Sequence, residues 1–202
     1  SPLALVVKAD SPYNSLKDLV EAIKKDPSKF KYGSSGVAGP STFGTAQLLE
    51  SAGIDPTKVD RVPFDGGAPT VAAVAGGHVD FAAQNLSEVL PLVTGGKLKA
   101  LAVTTPVRVA ELPDVPTAKE SGYEGFKQVG VFGLAGPAKL PEAIVSKWES
   151  VLTEAMKDAA VKEKLIKTGN IPAYQGAKEY VAWTEDQYKS AYDLAVKLNL
   201  RK

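Results

Sequence analysis

Apolar and polar positions change period repeatedly along the first hundred residues. Leu3-Ala4-Leu5-Val6-Val7 is an unbroken apolar run of strand length and predicts a buried strand. Asp10-Ser11-Pro12 breaks it. Ser15-Leu16-Lys17-Asp18 has the spacing of a capping box, with Asp18 in place of the usual Glu or Gln. The helix that follows repeats Leu16, Leu19, Val20 and Ile23 on one face, and Pro27 lies beyond its end. Phe30-Lys31-Tyr32 reads as a brief strand running into Gly33-Ser34-Ser35-Gly36. A second helix runs from Pro40 or Ser41 to Ala52, with Gly53 as its C-terminal stop.

The unit then repeats. Val59 to Pro63 alternates as a strand, and Gly66-Gly67 opens a small-residue helix over 68–75 that Gly76-Gly77 closes. Val79 to Ala83 is a strand, Asn85 or Ser87 starts a helix, Gly95-Gly96 ends it, and Leu98 to Val103 is the next strand. Strand and helix alternating through short Gly-rich connections predict βαβ units and a parallel sheet. After Thr104 the texture changes. Pro106 to Gly125 is rich in Pro, Glu and Asp, with at most a short helix after Thr117. Val129 to Ala135 predicts another buried strand, stopped by Gly136-Pro137. A helical region follows from Pro141 through Lys157 and resumes to about Lys167. The last helix, 177–198, carries Tyr180, Trp183, Tyr188, Tyr192 and Leu194 as a stripe that reads most simply as core packing.

Composition narrows the chemistry. The 202 residues carry 24 basic and 23 acidic side chains, a balance that gives no global electrostatic case for nucleic acid or an anionic membrane. With no cysteine, disulfides, thiolate metal sites and cysteine nucleophiles are excluded together. The one histidine, His78, lies at the amino end of a strand, away from the edge where α/β sheets bind ligands. No cofactor and no metal are expected. The Gly33–Thr42 segment joins a strand to a helix start, where free N–H groups and the helix dipole suit an anion. Ser34, Ser35, Ser41 and Thr42 add neutral donors, and a flexible loop with an ordinary Ser or Thr cap is the alternative. The segment lacks the Lys of a phosphate-binding loop and the final Gly of a hydrolase nucleophile elbow. Two further strand ends share the edge. Phe64-Asp65 precedes a Gly-Gly helix start, and Gln84-Asn85 offers two amides, Asn85 also reading as a helix N-cap.

Several segments occur in an order that is highly specific as a set. They are Tyr32–Gly36, Val62–Pro69, Gly76–Asp80, Gly96–Thr104, Leu112–Thr117 and Phe132–Pro137. Together they resemble the substrate-binding proteins of tripartite tricarboxylate transporters, the Bug or TctC-type family. The resemblance implies a type II periplasmic-binding-protein-like α/β fold whose two lobes close on a small organic carboxylate. It further implies a periplasmic location, delivery to membrane permease subunits, and no enzymatic activity. Carried over by position, Ser34, Ser35, Gly36, Ser41, Thr42, Phe64, Asp65, Gln84 and Asn85 would be ligand-binding. The family often has Tyr-Lys where this chain has Phe64-Asp65, and tends to have Asp where this chain has Gln84. Residues 9–103 are expected to form one complete lobe. Residues 1–8 and 104–202 would form the inter-lobe crossings and the C-terminal part of the other lobe, without the family's N-terminal third. Such a chain is expected either to be a fragment of a longer one or to dimerise with itself over the gap, with exchanged elements. A ligand-sensing effector domain and, more remotely, a serine hydrolase are the readings from other classes.

Overall fold

A computed structural model describes residues 1–200, so the last two residues of the predicted C-terminal region lie outside that range. Five strands form one sheet: β1 (Leu3–Lys8), β2 (Lys31–Ser35), β3 (Asp60–Phe64), β4 (Phe81–Asn85) and β5 (Leu98–Val103). Between them run α1 (Leu16–Lys25), α2 (Pro40–Ser51), α3 (Gly67–Ala75) and α4 (Leu86–Thr94). The strand order is β3-β2-β4-β1-β5. β2 is parallel to β3 and to β4, as the βαβ reading requires. β1 pairs antiparallel with both β4 and β5, an exception inside the parallel-rich sheet that the fold reading expected. The sheet is mixed and parallel-rich. Periodicity reports the burial of a strand on both faces and not its direction, so β1 reads the same either way.

Each face of the sheet carries its own core. Leu3, Leu5 and Val7 point to the side covered by α1 and α2, where they meet Leu16, Leu19, Ile23, Leu48 and Leu49. Ala4 and Val6 point to the opposite side, against Val71 and Val74 of α3 and Leu86 and Val89 of α4. The alternation follows from the two-residue period of a strand. α1 starts at a complete capping box: the Asp18 N–H donates to Ser15 Oγ (3.1 Å), and the Ser15 N–H donates to Asp18 Oδ2 (2.9 Å). The Ser15 side chain first, and then the Asn14 and Ser15 N–H groups, hold the Asp18 carboxyl below its ordinary range by hydrogen bonding. α2 lies so close to β1 that a Cβ on Gly44 would sit 2.6 Å from Leu3 Cδ1. Glycine is what permits that approach.

The C-terminal part is built differently. α5 (Glu142–Ala155), α6 (Ala159–Lys167) and α7 (Ala177–Lys197) follow a long irregular crossing. Val129 bridges Pro2, but residues 131–135 form no strand, and Phe132 is 77% exposed. This corrects the buried strand predicted at Val129–Ala135. Past the Pro2–Val129 bridge, residues 131–135 pair with no strand among the described residues. The aromatic stripe of α7 is not core packing either. Tyr180 stacks on Trp183 with ring centroids 5.8 Å apart, Tyr188 and Tyr192 are exposed, and Leu194 is the buried residue of the helix. The stripe has the right period, but its aromatic rings stay half-buried or exposed. No helix is long and apolar enough to cross a membrane among the described residues.

Two consequences can be measured. Leu5 is fully buried at the centre of the central strand, so Leu5→Ala should cost about 2–5 kcal/mol in chemical denaturation. Burial pushes the Tyr32 hydroxyl up to about 12 from its ordinary 10.0. Between those values the folded chain keeps a proton that the unfolded chain has released. This component of stability is whole below pH ~10 and falls as pH rises toward ~12. Tyr32→Phe should therefore decline less steeply than the parent when denaturation is followed across that range.

Candidate functional site

β2, β3, β4 and β5 all end at the edge where β1 begins, which brings Ser35, Phe64, Asn85, Val103 and Leu3 together. Ser35 stands opposite Phe64 in the β2–β3 register, and the Gly36 N–H donates to the Phe64 carbonyl (2.8 Å). Gly33 admits α3 to the sheet, since a Cβ there would meet Thr70 Cγ2 at 3.0 Å. Gly36 turns the chain with φ +82°, a left-handed conformation that favours glycine. Its carbonyl accepts from Ser34 Oγ (3.1 Å) and from Thr42 Oγ1 (3.4 Å). Those two hydroxyls hold the loop onto the start of α2. Ser35 Oγ donates instead to Gln84 Oε1 (3.2 Å), linking β2 to β4.

The strand period sorts the predicted residues onto two faces. Ser35 and Gln84 lie on the α3 and α4 side and Ser34 on the α2 side, while Asn85, the last residue of β4, turns to Glu88 of α4. α2 begins at Gly39 with Pro40 as its first residue, and no side chain caps it. Ser41, in its first turn, is 1% exposed, and its Oγ has no hydrogen-bond partner among the described residues. The same holds for Nε2 of Gln84, also 1% exposed, whose Oε1 is already engaged. Asn85 takes the N-cap position of α4, but its side chain does not cap that helix. The first free N–H there, on Leu86, donates to the Pro2 carbonyl (2.9 Å). Asn85 Nδ2 donates to Glu88 Oε2 (3.2 Å), and its Oδ1 is buried without a partner. Phe64 is half-buried beside the α3-side core, and Asp65 is exposed just beyond it.

The edge also contains residues that the sequence reading did not single out. Thr45 lies one turn beyond Ser41 on the same helix face, fully buried, with its Oγ1 unpartnered. The i, i+4 spacing of two hydroxyls on a buried face was a readable signal. Glu88 places its carboxylate directly on Gly67, where a Cβ would fall 2.1 Å from its Oε1. Thr105 keeps a buried, unpartnered hydroxyl just after β5. Gly130 faces Asn85 so closely that a Cβ there would fall 2.8 Å from Oδ1. His78 is exposed at the opposite edge of the sheet, before β4. No group of three or more His, Asp or Glu side chains could hold a metal among the described residues. A groove of about 320 Å³ lies away from this edge, between α2 and α7, lined by Gln47, Glu50, Lys127, Asp193 and Lys197 among others.

A parallel-rich α/β lobe with its loops gathered at one carboxyl edge, followed by crossing helices, is the architecture of periplasmic binding proteins. Residues 1–200 match the model of the tripartite tricarboxylate transporter family receptor, TctC, and the chain belongs to that family. A UPF0065 protein in the gbd 5′ region of Cupriavidus necator is 31% identical over 198 residues, covering 98% of this chain and 59% of the relative. A solved periplasmic transporter superposes with a TM-score of 0.88 at 30% identity, covering 100% of this chain and 66% of that one. An R. palustris protein solved with adipate gives 0.88 at 25% identity, covering 98% of this chain and 65% of that one. The chain spans about half to three fifths of the length of the curated relatives it matches.

The loop geometry carries its own test. A methyl group on Gly36 meets nothing within 4 Å but must adopt φ +82°. Gly36→Ala should therefore destabilise the chain by about 1–2 kcal/mol through backbone strain alone. Denaturant midpoints would measure the loss.

Proposed function

We propose that this chain contributes the ligand-holding lobe of a solute-binding protein. The protein would capture a small organic carboxylate in the periplasm and deliver it to the membrane permease subunits of a tripartite tricarboxylate-type transporter. Residues 9–103 form that lobe in this reading, with 1–8 and 104–202 crossing to the other. The carrying observation is the uncapped start of α2, which is flanked at the same edge by the buried, unpartnered Ser41 hydroxyl and Gln84 amide. Burying a polar group without a partner costs about 1–3 kcal/mol, so such groups gathered at one edge fit a site whose partner is a ligand. The helix N–H groups supply donors for a carboxylate without a cofactor. Family membership and the adipate-bound neighbour support the ligand class.

Ser34 and Thr42 hold the loop in this reading, Ser35 positions Gln84, and Phe64, Asp65 and Asn85 line the edge. None of the hydroxyls of Ser34, Ser35 or Ser41 is hydrogen-bonded to a histidine or a carboxylate among the described residues, which supports binding rather than nucleophilic chemistry. A ligand that binds only the folded state raises its melting temperature. A thermal-shift screen of mono-, di- and tricarboxylates should produce at least one saturable increase. Ser41→Ala and Gln84→Leu should each weaken that ligand about tenfold by titration calorimetry, in line with the loss of one hydrogen bond to a charged group. Unchanged affinity in both variants would move the site elsewhere.

A further inference from the structure

We infer that the ligand carries a single carboxylate and, at its other end, a cationic or hydrogen-bond-donating group such as an amine. The inference rests on the carboxylate reading above and concerns the half of the ligand that faces away from the start of α2. The loops after β2, β3 and β4 at the carboxyl edge, residues 34–42, 64–70 and 84–88, contain two carboxylates, Asp65 and Glu88, and no Lys or Arg, while Arg108 in the segment after β5 is paired with Glu120. Arg61 lies on β3 below them, and its guanidinium donates to the carbonyl of Val37, a residue 55% exposed on the outside of the loop.

The two helix starts at this edge are therefore unlike. α3 begins beneath the chain's own carboxylate, because Glu88 lies against Gly67 and is further fixed by Asn85 Nδ2. α2 begins with no acidic residue in its first turn and no side-chain cap. An anionic group entering the edge meets favourable dipole and N–H groups at α2 and like charge at α3. Asp65 stands on the same side of this gradient. It follows Phe64, which is opposite Ser35, and Ser35 is bonded to Gln84 with its buried, unpartnered Nε2. Across the edge, donors without partners thus give way to carboxylates. A second ligand carboxylate near Asp65 and Glu88 would be repelled, whereas an ammonium, amide or hydroxyl there has acceptors to meet.

Matched ligand pairs of similar length test this directly. Titration calorimetry would compare adipate with 6-aminohexanoate, and succinate with 4-aminobutyrate, at pH 7 and low ionic strength. The amino acid of at least one pair should bind ten or more times as tightly as its diacid. Asp65→Asn, at an exposed position, should narrow that ratio at least threefold, and Asp65→Lys should turn it toward the diacid. Diacids binding as tightly as the amino acids, with a ratio unmoved by Asp65→Asn, would overturn the inference and leave the carboxylate reading standing. Failure of every member of both pairs, and of the wider carboxylate screen, would overturn both readings together.

Discussion

Everything else in the lobe depends on the burial of β1 from both sides. Its six residues run antiparallel between β4 and β5, and Leu3 through Val7 are fully excluded from solvent. One strand thereby joins two cores: odd residues belong to the α1 and α2 layer, and even ones to the α3 and α4 layer. Its entry is locked by polar bonds as well. The Leu3 N–H donates to Thr104 Oγ1 (2.9 Å), and the Thr104 N–H returns a bond to the Leu3 carbonyl (2.9 Å). The Pro2 carbonyl takes the first N–H of α4. Because β1 enters at the edge where the other strands leave, it holds Thr104 there and brings the Val129–Gly130 stretch against Asn85.

That crowding accounts for where the unmet polar groups collect. Ser41, Gln84, Asn85 and Thr105 all lie at or just past strand ends, or in the helix start that follows one. Strand interiors satisfy their backbone groups through the ladder, and helix interiors do so through their own bonds. At the crossing from strand to helix backbone donors remain, and here side chains use some of them and leave others. Ser34 and Thr42 spend their hydroxyls on the Gly36 carbonyl, which sets the loop shape. Rigidity in the loop and openness at the helix start are thus produced by neighbouring residues of one short segment.

Much of this was legible in the sequence. The capping box at Ser15 and Asp18, the strand at Leu98–Val103 and the helix after Pro40 are local features whose chemistry suffices to place them. The Gly33–Thr42 loop was legible for the same reason, since glycine, hydroxyls and a helix start are consecutive. What could not be read depends on partners distant in sequence. β1 could not reveal its direction, because a doubly buried strand has no polar face to orient it. Residues 131–135 have the pattern of a strand but form none, and the α7 aromatics have the pattern of a core stripe but stay half-buried or exposed. Periodicity states what a segment can bury, and only the fold states against what. Glu88 was missed because its role arises from Gly67, a residue on a different helix.

The contrast between α2 and α3 shows how a single repeated unit acquires polarity. Both follow a strand, both begin at a glycine without a side-chain cap, and both lack an acidic residue of their own in the first turn. By dipole alone they would attract anions equally. The difference is imposed by α4, whose Glu88 reaches across to Gly67 and could do so only because that position has no Cβ. Replacing Gly67 by any larger residue would push the carboxylate away and remove the asymmetry. The residue that covers the start of one helix therefore leaves the start of the other as the uncovered one. A glycine that composition would count as a simple turn former becomes, through its neighbour, a determinant of which end of the edge is negative.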